Sequence, residues 1–222
     1  MDSRTTTKQG HIFHMTAQVH PIFPEAIVEF GNTGIDQERL LRLYESQEWG
    51  DTNADDDPER FLKISRNLKV LNDAPEIKNR FVAIVNEYAS EVMRYTNEFH
   101  MTTSWFVKTE TNKISVLHNH GNAMLCAVYY FGQTGNNKSR ICFEKPFVSQ
   151  FDIKPTAYNV FNGPSHNFEM GNDTVLVFPA YLKHKVLRHD HAETRKSLAM
   201  NFMPSGLIVS GATEIHLGKP ED

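Results

Sequence analysis

Cysteine is nearly missing from this sequence: Cys126 and Cys142 are the two thiols in 222 residues. Two cysteines cannot build the disulfide framework by which small secreted domains compensate for a thin core. Both lie in apolar, strand-like segments, where free cysteine packs as a small hydrophobe. Long apolar runs are missing too, and nothing approaches the roughly 20 residues of a membrane-spanning helix. The opening stretch MDSRTTTKQGHIFHM lacks the apolar centre of a signal peptide. The expectation is a cytoplasmic protein with reduced thiols and no membrane partner. Charge of one sign is not in excess either. A net charge of −4 and a pI near 6.3 argue against a general electrostatic grip on nucleic acid, although a local basic groove would be compatible. Oligomeric state has no signature here.

What is present is ordinary globular composition, 40% hydrophobic and 23% charged, in a chain long enough for one domain with a real core. We read residues 1–222 as a single domain. Residues 1–99 form a supporting region of strands and helices, 100–204 a strand core, and 205–222 an ambiguous tail. From His11 to Phe30 the apolar residues are broken by Pro21 and Pro24, giving one or two short extended pieces; His11, His14 and His20 read as surface or packing residues. A first helix follows, capped by Thr33 or Asp36, with Leu40, Leu41 and Tyr44 on its apolar stripe. Asp55, Asp56 and Asp57 lie in a loop without the alternation of a calcium site. Residues 61–71 suggest a short strand or turn. A second helix spans Ala74 to Thr96, with Asp73 as cap, Pro75 in the first turn, and Ile77, Phe81, Ile84, Val85 and Tyr88 on one face.

From about residue 100 the texture changes. MTTSWFVKTE, KISVLHNH, AMLCAVYYF and SRICFE read as strands divided by turn residues. A longer, less regular insert, 147–173, precedes DTVLVFP, LKHKVLR and RKSLAMNFMP. Helices first, then six or more short strands without intervening helices, predict an α+β fold with paired antiparallel sheets, a sandwich or open barrel.

Two blocks carry chemistry. His118 and His120 stand at i and i+2, so on a strand their imidazoles share one face. A metal ion with open positions needs about three protein ligands, and His184, after the apolar run VLVFPAYL, can supply the third. Eleven residues later Arg195 begins a strand on which Ser197, Ala199 and Asn201 share its face. If that face looks inward, a buried guanidinium needs an anion, and Arg195 with Ser197 can clamp a carboxylate. Alone, Arg195 would read as a surface residue.

His118-Asn119-His120, then His184, then Arg195-Lys196-Ser197 resembles the iron(II)- and 2-oxoglutarate-dependent oxygenases, whose mark is His-x-Asp/Glu, a distant His and, about ten residues on, Arg-x-Ser. The likeness covers roughly Ser104 to Pro204 and is nearest to a small bacterial and phage branch beside the prolyl-hydroxylase-like proteins. It implies a double-stranded β-helix, a cupin-like jelly roll with the N-terminal helices packed on one sheet. It implies Fe(II) on His118, His120 and His184. Arg195 and Ser197 would hold the far carboxylate of the cosubstrate 2-oxoglutarate, with Tyr130 and Asn201 on the same cosubstrate-binding wall. Dioxygen and an unidentified substrate, a peptide, protein or small molecule, are the implied partners; hydroxylation with release of succinate and carbon dioxide is the implied reaction. No catalytic side chain is expected beyond the metal centre.

The departure is His120, where the family carries an acid. Either three histidines bind the metal, or His120 stands aside and water replaces it. Parity does not decide whether Tyr129 or Tyr130 faces the site. A cupin-like three-histidine metalloenzyme that does not use 2-oxoglutarate is an alternative, but the window Gly121 to Leu125 lacks the usual cupin glutamate and Arg195 would go unexplained. A non-catalytic jelly-roll binding module is another.

Overall fold

The computed structural model describes residues 18, 22–52, 61–134, 138–147, 151 and 153–218. His11, His14, His20 and the Asp55–Asp57 run lie outside the described residues. The elements, in order, are β1 (Val28–Gly31), α1 (Gln37–Glu45), β2 (Trp49–Asp51), β3 (Lys63–Ser65), a 3₁₀ turn (Val70–Asp73) and α2 (Pro75–Glu87) with a π turn at its end (Tyr88–Val92). The strand core follows: β4 (Phe99–Thr109), β5 (Leu125–Phe131), β6 (Ser139–Glu144), β7 (Ser165–Met170), β8 (Thr174–Pro179), β9 (His184–Val186) and β10 (Arg195–Pro204). The tail is a hairpin of β11 (Gly206–Ser210) and β12 (Thr213–Leu217). No helix among the described residues is long and apolar enough to cross a membrane.

The architecture is α+β, with two antiparallel sheets face to face and helices on one of them. The larger sheet runs β1-β8-β5-β10-β4-β3-β2 and the smaller β7-β6-β9. Period-two alternation divides the core in two. Along β5, Leu125, Ala127, Tyr129 and Phe131 face the helices, where they meet Leu40, Phe81, Ile84 and Val85. Cys126, Val128 and Tyr130 face the smaller sheet, with Ile141 and Phe143. The same alternation on β10 sends Leu198, Met200 and Phe202 to the helices and Arg195, Ser197, Ala199 and Asn201 to the inter-sheet cavity. A register shift in the β4–β10 ladder lies between Asn201 and Phe202, where Asn201 pairs with Thr103 but Phe202 with Met101. The extra residue on β4 reverses its parity, which returns Met101 and Phe99 to the helix side.

Local chemistry sets the helix ends. Asp36 caps α1 by accepting from the Arg39 N–H at 3.0 Å. Asp73 does not cap α2. The chain at Val70–Asp73 is already wound as a 3₁₀ turn, Pro75 fixes the first helical residue, and Ala74 before it stays out of the helical region (φ −142°). The helical run stops at Val92, short of the expected Thr96. At the end of β5, Gly132 has φ +61°, and a Cβ there would come within 2.9 Å of the Leu41 side chain; glycine lets α1 seat closely on the strand end.

Two stretches differ from their sequence reading. Residues 113–120 form no regular strand. They touch the sheets by single bridges, Ile114 to Phe61 and His118 to His184, and end in a turn at Gly121 and Asn122, the latter at φ +59°. The less regular insert ends in an unexpected strand, β7 against β6.

Candidate metal centre

His118 and His184 converge because their backbones are paired. The His118 N–H donates to the His184 carbonyl at 3.0 Å and the His184 N–H donates back at 2.8 Å. Directly opposed residues in an antiparallel bridge present side chains to one face. Two residues on, the His120 N–H donates to the Ala180 carbonyl at 3.0 Å, keeping the segment extended. The ligating atoms of the three imidazoles lie within 4.8 Å of one another. Two nitrogens each at about 2 Å from one ion lie at most about 4 Å apart, so the rings have to draw together by about 1 Å or less to bind one.

The ring hydrogen bonds decide which nitrogen faces the centre. Nδ1 of His118 lies 2.9 Å from the Val116 carbonyl, and Nδ1 of His184 2.9 Å from the Leu182 carbonyl. A carbonyl only accepts, so each Nδ1 carries the proton and each Nε2 keeps a lone pair for a metal. Nδ1 of His120 lies 2.6 Å from Asn201 Oδ1. Burial, with His118 and His120 nearby, lowers the His184 pKa to about 3; burial also lowers that of His120. Both rings are therefore neutral at pH 7, the state that binds metal. His184 is packed against Phe143 and Phe178, ring centroids 5.5 and 5.0 Å away.

The triad opens on a cavity of about 500 Å³ between the sheets, which Arg195, Ser197 and Asn201 also line. Arg195 is only 3% exposed. Its Nη2 donates to the Tyr130 hydroxyl at 3.3 Å, and its Cζ lies 5.0 Å from that ring's centroid. Its Nε and Nη1 are buried and have no hydrogen-bond partner among the described residues. Burial lowers the Arg195 pKa and Tyr130 counters this; burial raises that of Tyr130 against the pull of the guanidinium. Arginine nonetheless stays charged in proteins.

Tyr130 thus stands at Arg195. Tyr129 points to the helix side and donates to Asp173 at 2.8 Å. Ser197 is buried on the Arg195 face, directly across from Tyr130. Asn201, the fourth residue of that wall, sits at the other end, against His120 rather than Arg195. Two residues escaped the sequence reading. Trp105 lines the cavity with its ring 5.5 Å from that of His120. Thr109 pairs across from Arg195, its hydroxyl buried and unpartnered among the described residues. Only the β4–β10 register places them there, and no local sequence signal announces it.

Residues 103–201 match the profile of the family described as "Putative 2OG-Fe(II) oxygenase". No curated protein matches the sequence. Among solved structures, the epimerase SnoN from nogalamycin biosynthesis, in complex with Fe3+, alpha ketoglutarate and nogalamycin RO, is 12% identical with a TM-score of 0.58, covering 89% of this chain and 91% of that one. HygX from Streptomyces hygroscopicus, with nickel, 2-oxoglutarate and hygromycin B bound, is 12% identical with a TM-score of 0.53, covering 81% and 83%. A Pseudomonas putida prolyl-4-hydroxylase is 13% identical with a TM-score of 0.50, covering 80% and 92%. At these identities the likeness is one of fold, the double-stranded β-helix.

Proposed function

We propose, from the match of residues 103–201 to the 2OG-Fe(II) oxygenase profile, that this protein is an iron(II)- and 2-oxoglutarate-dependent dioxygenase that hydroxylates its substrate. The observation that carries the reading is Arg195, a guanidinium buried in the wall of the triad's cavity with two nitrogens unpartnered among the described residues. Leaving a buried cation unpaired is costly; a dicarboxylate that reaches it while its other end meets the metal removes that cost. A cupin-like enzyme without 2-oxoglutarate, or a non-catalytic module, leaves this arginine without a purpose.

The residues present fit both groups. Three Nε2 lone pairs would hold the iron on one side, leaving its other side to the cavity. The Arg195 fork would take the distal carboxylate through parallel hydrogen bonds, with Tyr130 beneath it and the Ser197 and Thr109 hydroxyls beside it. Iron(II), bound with 2-oxoglutarate, supplies the dioxygen chemistry that yields succinate, carbon dioxide and a hydroxylated substrate. The chain's own work is positioning and exclusion of water. The backbone carbonyls of Val116 and Leu182 fix two ligand rings, and Ile141 and Val186 of the smaller sheet make the facing wall of the cavity apolar. The test is an anaerobic titration of the Fe(II)-loaded protein with 2-oxoglutarate, watched for the metal-to-ligand charge-transfer band. Appearance of the band is expected; its absence at millimolar 2-oxoglutarate overturns the proposal.

The position of His120 yields a prediction. His120→Asp restores the carboxylate of the wider family and adds a negative charge to a neutral ligand set. Fe(II) affinity, measured by anaerobic calorimetry, is expected to equal or exceed that of the wild type. A folded His120→Asp protein with no Fe(II) binding would show that only an imidazole spans the distance from this segment to the metal.

A further inference from the structure

The three imidazoles are not held alike. Those of His118 and His184 are fixed by backbone carbonyls two residues upstream, which no substitution at another position removes. His120 is held by a side chain, and that side chain lies 81 residues away on β10. We infer that Asn201 is a positioning residue that makes His120 a metal ligand, by accepting the Nδ1–H hydrogen bond and leaving Nε2 free. The inference rests on the metal-centre reading above and extends it.

The chemistry of the contact allows one productive arrangement. An amide offers His120 either an acceptor oxygen or a donor NH₂. Facing the NH₂, His120 would have to accept at Nδ1, placing its proton on Nε2 and turning an N–H toward the metal. Facing the oxygen, Nδ1 donates and Nε2 is free to bind. A second neighbour favours the oxygen. The Cys126 thiol, buried on β5, donates to the same Asn201 Oδ1 at 3.3 Å. Cys126 and Asn201 are cross-strand partners in the β5–β10 ladder, so the sheet register itself keeps the thiol against the amide. The short 2.6 Å contact to His120 then completes a chain from thiol and imidazole onto one carbonyl oxygen.

This arrangement matters because His120 occupies the family's carboxylate position. A partner that accepts the distal ring proton makes a ligating imidazole a better donor. Asn201 thus offsets, through a neutral hydrogen bond, part of what the missing carboxylate would contribute. An aspartate at 201 would do this more strongly, since a carboxylate accepts without ambiguity and brings negative charge to the same ring edge.

The test measures Co(II) affinity from the visible absorption of the bound ion, without 2-oxoglutarate, in wild type, Asn201→Ala and Asn201→Asp, each with its metal-free melting temperature. Loss of such a supporting partner typically costs about 10- to 100-fold in metal affinity, and that loss is expected for Asn201→Ala. Asn201→Asp should bind at least as tightly as wild type. Equal affinity of Asn201→Ala and wild type overturns the inference while leaving the metal centre standing. Parallel weakening of both variants overturns it too, by reducing Asn201 to packing. Failure of the wild type to bind any Co(II) overturns both this inference and the oxygenase reading. Wild-type protein also gives a measurement that needs no variant to fold. In the Zn(II)-loaded state, long-range proton–nitrogen NMR correlations should show His120 metallated at Nε2 and protonated at Nδ1; metallation at Nδ1 overturns the assignment.

Discussion

Arg195→Ala is expected to bind 2-oxoglutarate at least about thirty-fold more weakly than wild type, with Fe(II) affinity nearly unchanged. Truncating one partner of a buried, hydrogen-bonded charge pair costs on the order of 2–5 kcal/mol, and the lower bound corresponds to that factor. The metal should be spared because its three proposed ligands lie on other segments, fixed by Val116, Leu182 and Asn201. Arg195→Lys is not a conservative change here. An ammonium is a compact point charge, without the planar fork that meets a carboxylate through two bonds or stacks on the Tyr130 ring. Arg195→Met adds a discriminating sign. Replacing a buried cation whose Nε and Nη1 lack partners among the described residues with an apolar chain of similar length removes a desolvation cost, so the ligand-free melting temperature should hold or rise as 2-oxoglutarate binding disappears. A structural arginine would give the opposite, a lower melting temperature and unchanged binding. Equal 2-oxoglutarate affinity of wild type and Arg195→Ala would remove the assigned role.

How much of this was legible in the sequence depended on whether one strand or two had to be known. The strand core from β4 to β10 was visible because alternation and turn residues are local signals. The shared face of Arg195, Ser197, Ala199 and Asn201 follows from parity within one uninterrupted strand. The orientation of Tyr129 and Tyr130 could not be read, since all seven residues of β5 are buried and an apolar run packed on both sides carries no alternation. Parity along β4 would have misled, because the register shift opposite Asn201 reverses it. His118 and His120 were expected on a strand, whereas their segment is held by single bridges and a turn; the spacing of two survives because the backbone is extended there. Asn201 was expected beside the cosubstrate. Its position on the wall followed from the sequence, but its partner did not, because contact with His120 depends on how a loop from one side of the sheet lies over β10. Thr109 and Trp105 are placed by the β4–β10 register, which no signal local to either strand announces.

Removing His184 is expected to have the largest effect on the metal. His184→Ala deletes the most buried of the three proposed ligands, at 4% exposure, and leaves two imidazoles on one segment. Loss of a supporting partner alone costs up to about 100-fold in metal affinity, and loss of the ligand itself should exceed that. The consequence can be read without catalysis. A metal at about 100 times its dissociation constant stabilises the native state by about 2.7 kcal/mol, which in a protein of this size raises the melting temperature by roughly 5–10 °C. Wild type should show that rise with Co(II) or anaerobic Fe(II), and His184→Ala should show none. The vacated space between Phe143 and Phe178 lowers the metal-free stability of the alanine variant, so the informative quantity is the shift on adding metal rather than the melting temperature itself. His184→Gln fills more of the space and serves as the packing control: its metal-free stability should lie nearer wild type while its metal shift stays lost. The lowered pKa of His184 fixes the condition for the measurement. A ring whose folded-state pKa lies far below its unfolded value is neutral in the native protein at pH 7, but its contribution to stability fades as pH falls below about 6.5, where the unfolded chain begins to take up the proton. At pH 7 to 7.5 that contribution is present in wild type, and the difference between the variants' metal-induced shifts reports the metal. An undiminished metal-induced shift in His184→Ala would place the ion elsewhere and dissolve the triad.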